Sequence, residues 1–286
     1  MNAASSSWQC RDRALDLRVP VVMGVLNVTP DSFSDGGRFN GPDAALRHAL
    51  RMVDDGAGII DVGGESTRPG AKPITVGEEL NRVIPVIESL RRECPVFISV
   101  DTSKPQVMQA ATDAGADIIN DVRSLAEPGA LESAARTRAG VCLMHMKGEP
   151  RSMQDAPRYD DVVTEVGAFL SARISACRVA GVDAARIAID PGFGFGKRIV
   201  DNLALLKHLA RLASLGVPLV VGLSRKSMLA KLTGREVVDR TAGSVALATV
   251  AVLHGARIVR AHDVAATVDA VRVAAAVVQG EEFNGA

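Results

Sequence analysis

Eight stretches of apolar residues, each of strand length, recur along the chain with longer mixed stretches between them. They are continuous rather than alternating, which is typical of parallel strands that are covered on both faces. The segments predicted as strands are 21–27, 58–64, 96–101, 117–122, 141–146, 186–190, 218–224 and 257–263.

The segments between these strands carry helical patterns. Over 75–93, apolar residues recur at the three- and four-residue spacing that places them on one face of a helix. Thr75 with Glu78, and Ser103 with Gln106, match the sequence of a capping box at a helix start. We therefore predict that helices begin after Thr75 and after Ser103.

Strand and helix patterns alternate eight times, which favours an α/β protein with a (β/α)8 TIM barrel over a doubly wound sheet. A barrel of this type forms one domain of about 250 residues, so the 286 residues do not require two domains. We predict a single barrel over 19–286, preceded by an N-terminal extension at 1–18.

Composition narrows the class of partner. Lys and Arg balance Asp and Glu at 33 each, and aromatic residues make up only 3% of the chain, so neither nucleic acid nor a membrane surface is expected as a partner. No apolar leader precedes the first strand, and a cytoplasmic protein is expected. The cysteines are scattered, so neither a disulfide framework nor a zinc site is predicted; they are Cys10, Cys94, Cys142 and Cys177.

Polar residues end every predicted strand, and in a TIM barrel the active site forms at this end. One such residue could be a satisfied capping group, but eight polar ends on one rim indicate chemistry there. The residues are Asn27, Asp61, Asp101, Asn120, Asp121, His145, Asp190, Ser224, Arg225, Lys226, Arg260 and His262.

Three of these residues suit a flat heterocycle that carries N–H donors. Asp101, Asn120 and Asp190 would converge inside the barrel, and an ionised carboxylate can accept two parallel N–H bonds. The alternative is that one of them forms only an ion pair with Lys226 or Arg260.

Other motifs are open to two interpretations. In "GLSRKSML", Ser224 to Ser227 mark a strand-to-helix turn that could attract an anion, together with Arg260 and His262. Phe193 and Phe195 lie between glycines in "DPGFGFGK" and suit either an aromatic wall or ordinary core. His145 is expected to be a packed, hydrogen-bonded residue rather than a catalyst.

The ordered motifs resemble the dihydropteroate synthase family over about residues 20 to 275. The matching segments are "GVLNVTPDSFSDGG", "DVGGESTRPGA", "SVDTSKPQV", "INDV", "IDPGFGFGK", "GLSRKSML" and "RAHDV". The resemblance implies a transferase that joins para-aminobenzoate to 6-hydroxymethyl-7,8-dihydropterin diphosphate. The products would be diphosphate and 7,8-dihydropteroate, for folate synthesis.

The resemblance also assigns roles to positions of this sequence. It assigns the pterin ring to Asp101, Asn120, Asp190 and Lys226, which replaces the anion-binding interpretation of Lys226. It assigns Mg²⁺ to Asn27, and the diphosphate to Arg260, His262 and Thr67. It places Arg68, Phe195 and Ser227 around para-aminobenzoate, where sulfonamides bind in the family. Asn27, Arg260, His262 and Lys226 are the candidate catalytic residues.

Two further expectations follow from the resemblance. The family is usually homodimeric, and the apolar helix stripes at 246–253 and 273–278 could serve either the core or a subunit interface. Lys147 departs from the family pattern, in which glutamine is expected.

The sequence suggests a dissociative, SN1-like displacement in which segments 28–37 and 64–72 close over the site. Water would quench the cation, so closure should precede ionisation. Two rivals are a methyltetrahydrofolate methyltransferase-type barrel and a pterin-binding paralogue without catalysis.

Overall fold

The computed structural model describes residues 6–29, 41–66, 72–149, 153–154 and 156–280. Two short antiparallel strands, β1 (Ser7–Cys10) and β2 (Arg13–Asp16), form a hairpin at the start of the chain. Eight parallel strands follow within the described ranges. They are β3 (Val21–Asn27), β4 (Ile59–Gly63), β5 (Phe97–Asp101), β6 (Ile118–Asp121), β7 (Gly140–Met144), β8 (Ile187–Asp190), β9 (Val220–Gly222) and β10 (Ile258–Ala261).

The helices lie between the parallel strands and cover the outside of the sheet. Those in the described part of the chain are α1 (Gly41–Asp54), α2 (Val76–Glu93), α3 (Pro105–Asp113), α4 (Ala130–Arg136), α5 (Val162–Val179), α6 (Ile199–Lys207), α7 (Leu209–Ala213), α8 (Ser227–Thr233), α9 (Thr241–Leu253) and α10 (Val264–Gln279). In these described segments, no helix is both long and apolar enough to cross a membrane.

The sheet closes almost completely into the predicted (β/α)8 barrel. Consecutive strands are neighbours from β3 to β8, and β10 lies between β3 and β9. A single parallel bridge between Ile189 and Leu219 joins β8 to β9 and completes the circle. All eight predicted strands are therefore confirmed, with small shifts at their ends.

One of the two predicted helix caps is confirmed. The Thr75 side chain accepts the Glu78 backbone N–H, and the Glu78 carboxylate accepts the Thr75 backbone N–H, which forms a capping box before α2. The prediction at Ser103 is wrong, because α3 begins at Pro105 and Lys104 is its cap residue. The Ser103 hydroxyl instead donates to the Asp121 carboxylate, which anchors the loop between β5 and α3.

Side chains alternate between the two faces of the barrel wall. On β4, Ile60 and Val62 pack in the core beneath the helices, whereas Ile59 packs inside the barrel. The same alternation turns Asp61 inward, and the register pairs it with Ser99 on β5. The interior of the barrel near the C-terminal ends of these strands is consequently polar.

The N-terminal hairpin closes the opposite end of the barrel. Trp8 and Leu17 are fully buried against the lowest interior layer of the barrel, to which Met23 and Ile59 belong. The Trp8 indole N–H donates to the Arg186 carbonyl over 2.8 Å. The division at residue 18 remains a prediction, although residues 7–16 pack as an integral part of the barrel floor.

Gly140 shows how closely the hairpin fits. A Cβ atom at this position would lie 2.8 Å from Cys10 Sγ and 3.1 Å from the Trp8 ring. Because real Cβ contacts are not this short, the floor of the barrel tolerates no side chain at the start of β7.

We expect Trp8→Ala to lower the free energy of unfolding by about 3–5 kcal/mol, because it leaves a large cavity and an unpaired Arg186 carbonyl. Urea unfolding followed by circular dichroism measures the change. Trp8→Phe, which retains most of the apolar volume, is the control and should cost less. A loss below about 1 kcal/mol for Trp8→Ala would show that the hairpin is not part of the cooperative core.

Candidate active site

One arginine is shared by two buried carboxylates at the centre of the barrel mouth. Arg260 on β10 donates from Nε to Asp61 Oδ2 over 2.6 Å and from an Nη atom to Asp101 Oδ2 over 2.9 Å. Asp61 is completely buried, and Asp101 almost so. Two of the five guanidinium N–H groups are thereby fixed inside the protein. The predicted ion pair between Asp101 and Arg260 is therefore present, and it uses Oδ2 of Asp101.

Asn120 is oriented by the same carboxylate. Its Nδ2 donates to Asp61 Oδ2 over 3.2 Å. This hydrogen bond identifies the amide nitrogen, so Oδ1 remains as an acceptor. On the neighbouring strand, Asp101 lies directly opposite Asn120 in register.

Asp190 reaches the same opening from β8. Its Oδ1 accepts the Gly192 backbone N–H over 2.7 Å. A Cβ atom on Gly222 would lie about 4 Å from both the Arg260 side chain and Asp190 Oδ2, so these two residues face one space. The predicted set Asp101, Asn120 and Asp190 is thus brought together at one end of the barrel.

Burial changes the acidity of the two carboxylates in this set. Burial raises the pKa of Asp101, Arg260 opposes the rise, and the nearby Asp61 carboxylate adds to it. Burial also raises the pKa of Asp190, while the Gly192 N–H and Lys226 lower it. Both groups consequently titrate closer to neutral pH than ordinary aspartates do.

Lys226 and Phe195 form the wall beside Asp190. The Lys226 Nζ lies 4.2 Å from the centre of the Phe195 ring, which is a cation–π contact. Burial, together with Arg260, lowers the pKa of Lys226 to about 8. Phe193 is instead buried in the core. Of the two phenylalanines in this loop, Phe195 therefore forms the predicted aromatic wall and Phe193 is ordinary core.

His262 is held by Ser224 at the end of the neighbouring strand. Ser224 Oγ accepts the His262 backbone N–H over 3.2 Å and lies 3.1 Å from His262 Nδ1. The hydroxyl proton can therefore go to Nδ1, which leaves the ring proton on Nε2. Burial and the neighbouring Arg260 lower the pKa of His262 to about 4, so the ring is neutral at neutral pH.

The turn before α8 does not present all its cations to one ligand. Arg225 has a left-handed backbone with φ 57° and pairs with Asp263. Lys226 points to the Phe195 ring instead. Ser227 is exposed and lines a groove of about 410 Å³ together with Gly194 and Lys226.

Asn27 lies at the rim near Asp101. A Cβ atom on Gly63 would have Asn27 Oδ1 and Asp101 Oδ2 both at 3.9 Å, so the two oxygens approach the same point. Within the described residues there is no group of three His, Cys, Asp or Glu side chains that could enclose a metal. The donor set fits a cation that takes most of its ligands from substrate phosphate and water, as Mg²⁺ does.

Other polar strand ends serve the scaffold. Asp121 faces outward and accepts the backbone N–H groups of Arg123 and Leu125, as the capping alternative requires. His145 is buried with its ring edge against Phe169, as expected for a packed histidine. Thr67 and Arg68 lie outside the described residues, as do most of the predicted closing segments 28–37 and 64–72.

Two lysines with several partners were missed by the sequence interpretation. Lys104 contacts the carboxylates of Glu65 and Glu79, and Glu79 is fully buried. Lys197 is buried in the loop after β8. Lys104 lies within "SVDTSKPQV" and Lys197 ends "IDPGFGFGK", but the sequence of either motif does not show that its lysine is buried.

The sequence matches the family described as "Pterin binding enzyme" over residues 23–262. It is 53% identical to the dihydropteroate synthase of Escherichia coli (strain K12) over 269 residues, which are 94% of this chain and 95% of the relative. The dihydropteroate synthase of Xanthomonas albilineans with 4-aminobenzoic acid superposes with a TM-score of 0.91 and 55% identity, covering 96% of this chain and 98% of that one. The same enzyme in complex with 7,8-dihydropteroate gives a TM-score of 0.87 at 52% identity, with 95% and 98% covered.

The chain therefore belongs to the pterin-binding enzyme family, whose match covers nearly the whole barrel. Within that family it belongs with the dihydropteroate synthases, which are transferases of folate biosynthesis.

We expect Asp61→Asn to lower kcat/KM by about 100-fold, because it turns the partner of Arg260 and Asn120 from an acceptor into a partial donor. Steady-state rates with both substrates measure the change. Ser99→Ala is the matched control, since Ser99 is a fully buried neighbour whose hydroxyl has no partner among the described residues. An Asp61→Asn enzyme within threefold of the parent would contradict the central role of this carboxylate.

Proposed function

We propose that this barrel condenses 6-hydroxymethyl-7,8-dihydropterin diphosphate with para-aminobenzoate to form 7,8-dihydropteroate and diphosphate. The observation that carries the proposal is the common opening shared by Asp101, Asn120 and Asp190 with Arg260. Hydrogen-bond acceptors for a heterocycle and a guanidinium donor for an anion therefore share one opening. The family membership supports the same reaction.

The pterin ring is proposed to lie against Asp101, Asn120 and Asp190. Carboxylates and an amide oxygen accept the ring's N–H groups, and Lys226 donates to its acceptors. The support is geometric, because Asp61 accepts from the Asn120 Nδ2 and leaves the amide oxygen as an acceptor. Asp190 must be ionised to accept two N–H bonds, so its Gly192 hydrogen bond contributes to binding.

The diphosphate is proposed to lie against Arg260, His262 and Thr67. Arg260 supplies charge, and His262 supplies a hydrogen bond from Nε2 because its ring is neutral. Asn27 would hold Mg²⁺ through its amide oxygen, and bound Mg²⁺ would neutralise charge on the diphosphate oxygens.

The amine is proposed to approach from the groove lined by Ser227, with Phe195 and Arg68 beside it. Phe195 is half-buried next to the groove, so it can pack against a flat benzoate ring. The X. albilineans relative with 4-aminobenzoic acid supports an aminobenzoate as the second substrate.

The reaction is proposed to proceed by an SN1-like route. The C–O bond at the pterin methylene breaks, and both electrons leave with the diphosphate oxygen. The amine lone pair then forms the C–N bond, and the nitrogen releases a proton to water. Asp101 and Asp190 favour the intermediate cation, since opposite charges attract strongly in a low-dielectric site. A secondary isotope effect near unity at the methylene carbon would exclude this route.

Diphosphate release from the two purified substrates and Mg²⁺ tests the proposed function. We expect release that requires the amine and yields 7,8-dihydropteroate. Asn27→Ala should lower the Mg²⁺-dependent rate far more than it weakens pterin binding, because its amide is assigned to the metal and not to the ring.

The result also separates the rivals. Transfer of a methyl group without diphosphate release would identify a methyltransferase, and pterin binding without turnover would identify a non-catalytic paralogue. Equal losses of rate and pterin affinity in Asn27→Ala would contradict the assignment of Asn27.

We also propose a homodimer formed through α9 and α10. Apolar side chains remain exposed along the adjoining faces of these helices, namely Leu253, Val273, Val277 and Val278. Clustered exposed apolar side chains of this kind are typical of subunit interfaces. A cytoplasmic location remains a prediction from the sequence.

The double variant V273E/V277E should sediment as a monomer at concentrations where the parent is a dimer, because it places two charges on the proposed interface. Analytical ultracentrifugation measures the change. Val179→Glu is the matched control, since Val179 is exposed at the end of α5. A monomeric parent, or a double variant that stays dimeric, would contradict this interface.

A further inference from the structure

Lys197 is a buried cation that forms no hydrogen bond to a carboxylate within the described chain. Its Nζ donates to the carbonyls of Gly192 over 2.9 Å and Phe195 over 3.0 Å. The third contact is His145 Nδ1 at 2.9 Å, with the His145 carbonyl at 3.3 Å. Only 3% of the residue is exposed. Burying an ammonium group without a carboxylate partner is costly, so its charge requires an explanation.

The contacts of Lys197 Nζ with the Gly192 and Phe195 carbonyls join the two ends of one tight turn, Gly192–Phe195. The Phe195 N–H also donates to the Gly192 carbonyl over 3.1 Å. Gly192 has a φ of 68°, and a Cβ atom there would lie 1.9 Å from the His145 carbonyl oxygen. The turn therefore packs closely against the end of β7, and the hydrogen bonds of Lys197 hold it in that position.

Each end of the turn also contacts the candidate site. The Gly192 N–H donates to Asp190 Oδ1 over 2.7 Å. The Phe195 ring lies beneath the Lys226 ammonium group. A displacement of the turn would therefore disturb the proposed pterin acceptor and the aromatic wall together.

We propose that Lys197 is a positioning residue that holds the Gly192–Phe195 turn, so that Asp190 stays ionised and Phe195 stays beneath Lys226. This inference rests on the proposed role of Asp190 in binding the pterin. Lys197 also lines the groove described above, but its ammonium group bonds to His145, Gly192 and Phe195, so it acts through the turn and through its charge.

Lys197 and Asp190 each favour the charged form of the other. Burial lowers the pKa of Lys197 to about 7, and Asp190 opposes that shift. Burial raises the pKa of Asp190, and Lys197 is among the cations that oppose the rise. Removing the Lys197 charge should therefore raise the pKa of Asp190 further. Asp190 would then lose its negative charge at a higher pH.

Other titratable and charged groups face this pair from the surrounding elements. They are Cys142 within β7, His145 just after it, Lys147 beyond it, Asp201 on α6, Lys226 after β9, and Arg260 on β10 with its partners Asp61 and Asp101. All of them are present in both the parent and a Lys197 variant. The difference between the two proteins therefore isolates the contribution of Lys197.

The test compares Lys197→Met with the parent by calorimetric titration of the pterin diphosphate substrate between pH 6 and pH 9. Met keeps the length of the side chain but removes its charge and its donors. We expect binding at least tenfold weaker at pH 6 and a smaller difference at pH 9, because a higher pH favours the ionised form of Asp190 in both proteins and the neutral form of Lys197 in the parent. The KM for para-aminobenzoate should also rise several-fold, because Phe195 is released.

Lys207→Met is the matched control, since Lys207 is exposed on α6. It should leave affinity and KM within twofold of the parent. Lys197→Gln is a second variant that keeps two donors without the charge, for the case in which Lys197→Met fails to fold. It should show the same loss at low pH with less general weakening, because the turn is still bonded.

A folded Lys197 variant that binds the pterin substrate within threefold of the parent at every pH would overturn the inference. A loss of the same size at pH 6 and pH 9 would overturn the electrostatic part and leave only a packing role. Failure of the parent itself to bind the pterin substrate would instead contradict the proposed function, so the two failures are distinguishable.

Discussion

The site depends on a single guanidinium that is shared between two carboxylates inside a barrel. Arg260 is the ion-pair partner of both Asp61 and Asp101, and burying a charged group at this depth without such a partner is costly. The ion pairs of Arg260 with Asp61 and Asp101 also determine which polar atoms of the site are left for a ligand. Asp61 accepts from Nδ2 of Asn120 as well as from Nε of Arg260, so the Asn120 amide oxygen is left as an acceptor.

Hydrogen-bond acceptors and cations of the site come from different strands of the barrel. The acceptors come from β4, β5, β6 and β8, whereas the cations come from β10 and the turn after β9. Because these strands are neighbours around one circle, an acceptor-rich half and a cation-rich half adjoin each other across a few ångströms. A substrate with a heterocycle at one end and a diphosphate at the other matches that division. The mouth can therefore favour departure of an anion while tolerating the positive charge that remains.

The sequence predicted the architecture because continuous apolar strands and helix patterns are local signals. It also predicted the residues at the strand ends, since the barrel topology places those ends together. The strand-end pattern does not show in which direction a side chain points: Asp121 and Asp101 both end strands, but Asp121 faces outward and Asp101 faces inward. The protonation of His262 likewise depends on Arg260 and Ser224, which are remote or separate in sequence. Ser103 followed the letters of a capping box but found a stronger acceptor in Asp121.

The floor of the barrel has a consequence for the order in which the molecule is assembled. The hairpin leaves the ribosome before the barrel strands, yet the surface that buries Trp8 comes from strands that are spread along the chain, and its indole bonds to a residue 178 positions away. The hairpin can therefore dock fully only after the later strands have been synthesised. Contacts of such long sequence separation slow folding, so the nascent barrel passes through a stage in which its lower opening is still uncovered.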